Sequence, residues 1–170
     1  SADTTCSSVV WGADGSAEPV SVITATAPIH PVRTWHRPAA GRERLEDRVA
    51  STIREALAAG PEDDGVLGDV LAFLPGRGEI RRTAERLSGL GSSGASPVVV
   101  HELHGSVPPA LQDAALRPDP DGRRRIVLAT SIAETSITVE GVRIVVDSGR
   151  RRTVRVHPGT GLPGLVTEAV

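Results

Sequence analysis

Between residues 69 and 147 the chain repeats one pattern: a short run of aliphatic residues without polar alternation, a turn, then a segment of another character before the next run. The runs are "DVLAFLP", "PVVVHELHG", "RRRIVLAT" and "VRIVVDSG". Strands apolar on both faces must be covered on both faces, and strands alternating with amphipathic helices run parallel, so the pattern demands an α/β layer fold around a mostly parallel sheet. After the first run, "GRGEIRRTAERLSGL" places Ile80, Ala84, Leu87 and Leu90 at helical spacing, and after the second "SVPPALQDAAL" takes the same role. Upstream, residues 42 to 59 set Leu45, Val49, Ile53 and Leu57 at steps of four and stop at Gly60 and Pro61, which predicts a helix. Downstream, "RRRTVRVHPGTGLPGLVTEAV" alternates Val with Arg and turns at "PGTG", which predicts a C-terminal β-hairpin. Residues 1 to 40 read as a linker and peripheral strand segment, with a strand at "PVSVITA", and residues 41 to 170 as the domain proper.

A chain of 170 residues with 39% apolar content suits one domain with a core. Cys6 is the only cysteine, and neither an apolar run of membrane length nor a basic-then-apolar leader is present, which favours a reducing cytoplasm and no membrane partner. The start "SADTTCSS" reads as that of a cut fragment. Every basic side chain other than histidine is an arginine, because the sequence holds no Lys. A Walker A loop needs a Lys for the β/γ-phosphates, so this chain does not grip a nucleoside triphosphate by that device. The net charge of −2 conceals an asymmetry: from Arg123 to Arg155 eight arginines face three carboxylates, whereas residues 1 to 122 hold eleven arginines and seventeen carboxylates. Such a cluster reads either as a solvated face or as the footprint of a polyanion.

In open parallel sheets ligands gather outside the carboxyl ends of the strands, which places the loops after Leu74, Leu103, Ala129 and Val146 on one rim. The first loop begins G-x-G at Gly76 and Gly78, but Arg81 stands where a dinucleotide fingerprint has its third glycine. His101 and His104 are three apart near a strand end, would not share a pleat face, and have no Cys or third His nearby, so no metal is implied. Ser148 lacks the glycines of a nucleophile elbow. The third loop differs: from Thr130 to Glu140 it carries five hydroxyl side chains and two carboxylates in eleven positions. Hydroxyls and loop amides suit phosphate oxygens and a carboxylate suits ribose hydroxyls, but Ser131 and Glu134 also stand at capping-box spacing. Chemistry alone leaves both readings open.

The segment "LATSIAETSITVEGVRIVVDSG" resembles motif V of DEAH-type superfamily 2 RNA helicases, and "VLAFLPGRGEI", "LHGSVPPALQ" and "VHPGTGLPGLVTEAV" resemble, in order, the flanking pieces of the bacterial HrpB-type members. The resemblance covers about residues 66 to 170 and implies the second RecA-like domain, a three-layer α/β domain, with residues 1 to 40 leading out of the first. It further implies that ATP with Mg2+ is bound mainly by that first RecA-like domain, and that single-stranded RNA or DNA crosses the tops of both. By position, Thr130 and Thr135 would contact the nucleic-acid backbone, Ser136 would be the catalytic position sensing the γ-phosphate region, and Thr138 and Glu140 would approach the ribose or the ATP-side interface. Gly76, Arg77, His104 and Ser106 match segments that lie along the strand, and the hairpin bearing Arg150, Arg151, Arg152 and Arg155 resembles one that helps part a duplex. Many members have Asn at the position of Ser131 and Asp at that of Glu140. The sequence ends before the family's "QRxGRAGR" motif and contains no Walker halves, so the segment alone is expected not to hydrolyse ATP. A non-catalytic nucleic-acid or protein interaction module on the same fold is the alternative.

With two Trp and one Phe, the chain offers almost no stacking platform of the kind single-strand binders use. Any grip on a strand is therefore electrostatic, aimed at the backbone and sensitive to salt.

Overall fold

The computed structural model describes residues 9–11, 17–19, 32–38, 41–59, 68–90, 97–130, 139–159 and 161–169. The chain divides into two compact units, residues 1–37 and 38–170. In the first, β1 (Val9–Trp11) pairs antiparallel with β2 (Ala17–Pro19). This strand pair precedes the predicted "PVSVITA", which beyond Pro19 lies outside the described residues.

The second unit carries α1 (Leu45–Ala58), β3 (Asp69–Leu74), α2 (Arg77–Leu87), β4 (Val98–Leu103), α3 (Pro109–Leu116), β5 (Arg124–Thr130), β6 (Val142–Asp147), β7 (Arg150–Val156) and β8 (Pro163–Ala169). Strands β3 to β6 form one parallel sheet in the order β4-β5-β3-β6. Leu103, Ala129, Phe73 and Asp147 share one register row, so the carboxyl ends of the four strands are level. The hydrogen-bonded hairpin of β7 and β8 is a separate antiparallel ribbon, as the Val and Arg alternation predicted.

Two apolar clusters explain the layers. Ile126 and Leu128 of β5 face one side with Val70, Ala72 and Leu74 of β3, against Val49, Ala50 and Ile53 of α1 and Ile80 and Leu87 of α2. Val127 and Ala129 face the other side with Leu103, packed on Ala115 and Leu116 of α3. Successive strand residues point to opposite faces, so burial of every residue from Arg124 to Ala129 requires cover on both sides. The helix predicted over 42 to 59 is α1, its Leu45 and Leu57 packed beside the core. One aliphatic run departs from expectation: Val145 is 60% exposed, because β6 is the edge of the sheet and α3 packs at the far side against β4.

Ion pairs lock α1 to α2. Arg82 bonds Glu46 at 2.5 Å and Glu79 at 2.8 Å, and Arg86 pairs with Asp47. Burial of Glu46 acts to raise its pKa, but its own backbone amide and Arg82 outweigh that and hold the carboxyl below its ordinary value.

Candidate nucleic-acid interface

Parallel pairing brings Thr130, Gly76, Arg77, His104 and Ser106, of the residues predicted to face a strand, to one rim. Thr130 ends β5 in register with Leu74, the last residue of β3, and Gly76 and Arg77 follow two and three positions on. His104 and Ser106 follow β4 on the same side. Arg77 Nη1 donates to Ser106 Oγ at 3.4 Å, so the loop after β3 and the loop after β4 meet through side chains. The Ser106 amide donates to His104 Nδ1 at 3.3 Å, and His104 Nε2 lies 3.6 Å from Glu102, which orients the imidazole along the loop. Arg77 and Ser106 are exposed, a cation and a hydroxyl side by side, which suits phosphate oxygens. Phe73 packs partly buried beside the α3-side cluster, so it is no stacking surface.

The hairpin is tied to this rim. Arg152 Nη2 lies 3.4 Å from Glu79 Oε2, and its guanidinium covers Gly76, where a Cβ would stand 2.5 Å from Arg152 Nη1. A side chain at Gly76 would have to displace the flexible end of Arg152. On β7, Arg151 and Arg155 both bond Glu168 of β8, at 3.0 Å and 2.6 Å, and these partners, Arg155 foremost, hold the Glu168 carboxyl at about 2. Glu168 thus stays ionised far below neutral pH and offsets one of the two positive charges of Arg151 and Arg155. The exposed apolar residues Val154, Val156 and Leu165 belong to the same ribbon.

The basic cluster seen in sequence is accordingly neither a uniformly solvated face nor an open cationic patch. Arg123 pairs with Asp119 at 2.9 Å and Asp121 at 3.2 Å. Arg124 and Arg125 are buried: Arg124 Nε donates to the Gly68 carbonyl at 2.5 Å, and burial lowers its pKa from the usual guanidinium value. Arg125 bonds Asp69 at 2.6 Å. The sequence treats all these arginines alike, and neither the buried Arg125 and Asp69 pair nor the Glu79 and Glu168 contacts were anticipated. The only local sign was an aspartate opening one buried strand and arginines opening another.

Glu140 lies on the opposite edge. Val142, the first residue of β6, is in register with Asp69, the first of β3, and Glu140 precedes it, exposed, with its amide donating to the Leu116 carbonyl at 3.3 Å. Five strand steps separate Asp69 from Leu74, about 17 Å at ~3.3 Å per residue. Thr130 and Glu140 therefore stand at opposite ends of the sheet. Thr135, Ser136 and Thr138, with Ser131 and Glu134 of the capping-box reading, lie outside the described residues.

The lesser candidates resolve simply. His101 has a buried Nε2 without a hydrogen-bond partner, and burial first, then the charge of Arg125, pushes its pKa down. Among the described residues no group of His, Cys, Asp and Glu could hold a metal ion, and no helix is long and apolar enough to cross a membrane. Ser148 is buried, with its hydroxyl 3.4 Å from the Arg150 carbonyl.

Residues 63–157 match the family of helicase conserved C-terminal domains. Over 140 residues the chain is 41% identical to the ATP-dependent RNA helicase HrpB of Escherichia coli (strain K12), covering 82% of this chain and 16% of that protein. It is 33% identical over 117 residues to the ATP-dependent RNA helicase HrpA of Borreliella burgdorferi, covering 69% of this chain and 13% of that one. The crystal structure of the E. coli DExH-box NTPase HrpB is similar with a TM-score of 0.67 at 41% identity, over 78% of this chain and 15% of its own. The chain thus spans only a small part of the length of these relatives. Its parallel sheet, two covering layers and C-terminal hairpin are the RecA-like fold of that neighbour, and the chain belongs to the helicase conserved C-terminal domain family.

Proposed function

We propose that the chain serves as the second RecA-like domain of an ATP-dependent RNA helicase of the HrpB type. It grips the backbone of single-stranded RNA on the rim formed by Gly76, Arg77, His104, Ser106 and Thr130. At the opposite edge Glu140, with Thr138 and Ser136 of the intervening loop, completes a nucleotide site whose phosphate and Mg2+ grip belongs to the first RecA-like domain. The observation that carries this reading is the meeting of Arg77 and Ser106 from two loops on the edge that Thr130 also reaches, while Glu140 sits across the sheet. In this reading residues 131 to 138, which connect Thr130 to Glu140 through Val139 in sequence, couple occupancy of the two sites in the complete protein. Residues 1 to 40 would then lead out of the first domain, and nucleotide-driven closure of the two domains would step the strand.

The hairpin takes the duplex-parting role in this reading. With the charge of Arg151 and Arg155 halved by Glu168 and Arg152 held by Glu79, it meets a fork through shape and the exposed Val154, Val156 and Leu165 as well as through charge.

Thr130→Ala and Arg77→Ala in the complete protein are each expected to weaken single-stranded RNA binding about tenfold, the scale of one hydrogen bond to a charged group. Arg77→Ala should also lower the salt dependence by about 0.7 in the slope of log K against log salt, whereas Thr130→Ala should leave the slope alone. Affinity titrations at several salt concentrations check both; wild-type affinity for either variant removes that residue from the interface.

A further inference from the structure

We infer that Arg125 is a positioning residue for the nucleotide-facing edge, its buried guanidinium holding the Glu140 and Gly141 turn against the end of α3 and the start of β3. The inference rests on the nucleotide-side assignment of Glu140 proposed above.

A guanidinium has five N–H donors in a fixed fork, and here every one is used. Nε and Nη2 donate to Asp69 Oδ2 at 2.8 and 2.6 Å, Nη2 also to the Glu140 carbonyl, and Nη1 to the carbonyls of Ala115, at 3.2 Å, and Arg117. The side chain is fully buried. The second Asp69 oxygen accepts the Arg125 amide at 2.7 Å, and the Asp69 amide donates to the Gly141 carbonyl at 3.0 Å. One cation thus ties together the start of β3, the end of α3 and the turn that enters β6.

The turn has no slack. Gly141 sits at φ +83°, and a Cβ there would stand 3.0 Å from Asp69 Oδ2 and 3.4 Å from Arg125 Nη2. Glu140 is held through both its amide and its carbonyl, with its side chain left exposed. That is how a residue is placed when its carboxylate serves a ligand. A lysine could keep the charge opposite Asp69, but a single ammonium cannot span a carboxylate and three carbonyls in this planar arrangement.

In the complete protein, Arg125→Lys is expected to raise KM for ATP about tenfold, the cost of a small misplacement, while kcat and single-stranded RNA affinity stay within about twofold. Glu140→Ala should raise KM similarly, and the double variant should add little to either single one. Gly141→Ala, which crowds the same clamp and keeps both charges, should reproduce the KM rise and carries the test should Arg125→Lys not fold. If Glu140→Ala raises KM while Arg125→Lys and Gly141→Ala do not, positioning by Arg125 is overturned and the assignment of Glu140 stands. If Glu140→Ala leaves KM unchanged, the nucleotide-side assignment fails and the inference with it. A loss of RNA affinity in Arg125→Lys equal to the change in KM shows a general structural role and also overturns it.

Discussion

Asp69→Ala is expected to destabilise the domain by about 3–5 kcal/mol, because it leaves a buried arginine without its counter-charge. Arg125 is fully buried, and Asp69 supplies the only carboxylate bonded to it among the described contacts. Its three other acceptor contacts are with neutral carbonyls of Ala115, Arg117 and Glu140 and cannot compensate a whole charge. Such a loss is a large fraction of the stability of an ordinary domain, so the variant should be mostly unfolded or aggregated at physiological temperature. Removing both partners at once, as in Asp69→Ala with Arg125→Met, should cost less than Asp69→Ala alone, since no unpaired charge remains. Urea unfolding followed by far-UV circular dichroism measures both; a fully folded Asp69→Ala chain with an unshifted midpoint contradicts the assigned role of the pair.

The second large effect concerns adjacent residues of β5. Leu128→Ala should cost about 2–5 kcal/mol and Val127→Ala about 2 kcal/mol, from lost burial plus the cavity left behind. In a sheet with one wet face, one of two adjacent residues would be exposed and its truncation nearly neutral. Here Leu128 packs toward α1 and α2 and Val127 toward α3, both at zero exposure, so both substitutions must be felt. Paired urea titrations check this, and a neutral Val127→Ala is incompatible with the layer under α3.

The layers were legible because they follow from local pattern. Continuous aliphatic runs at β3 and β5, helical spacing at Leu45, Val49, Ile53 and Leu57, and a Val and Arg alternation closed by "PGTG" each state a secondary structure. The rim was legible because parallel strands place their following loops on one side, whichever loops they are. What stayed hidden depends on contacts far apart in sequence. Asp69 and Arg125 are 56 residues apart, and Glu79 and Arg152 are 73 apart, and no local pattern distinguishes those arginines from their neighbours. For the same reason Val145 reads as buried from its aliphatic neighbours, and only the order of strands shows that β6 is an edge. The opposite placement of Thr130 and Glu140 also needed the register of β3 with both β5 and β6.

Amide hydrogen exchange of this chain, with and without saturating single-stranded RNA at low salt, tests most directly the placement of RNA and nucleotide on opposite edges. RNA is expected to slow exchange at Arg77, Gly105, Ser106 and Thr130, and to leave Glu140, Gly141 and Val142 unchanged. Protection of Glu140 to Val142 with an unprotected rim, or no protection anywhere at saturation, contradicts that placement.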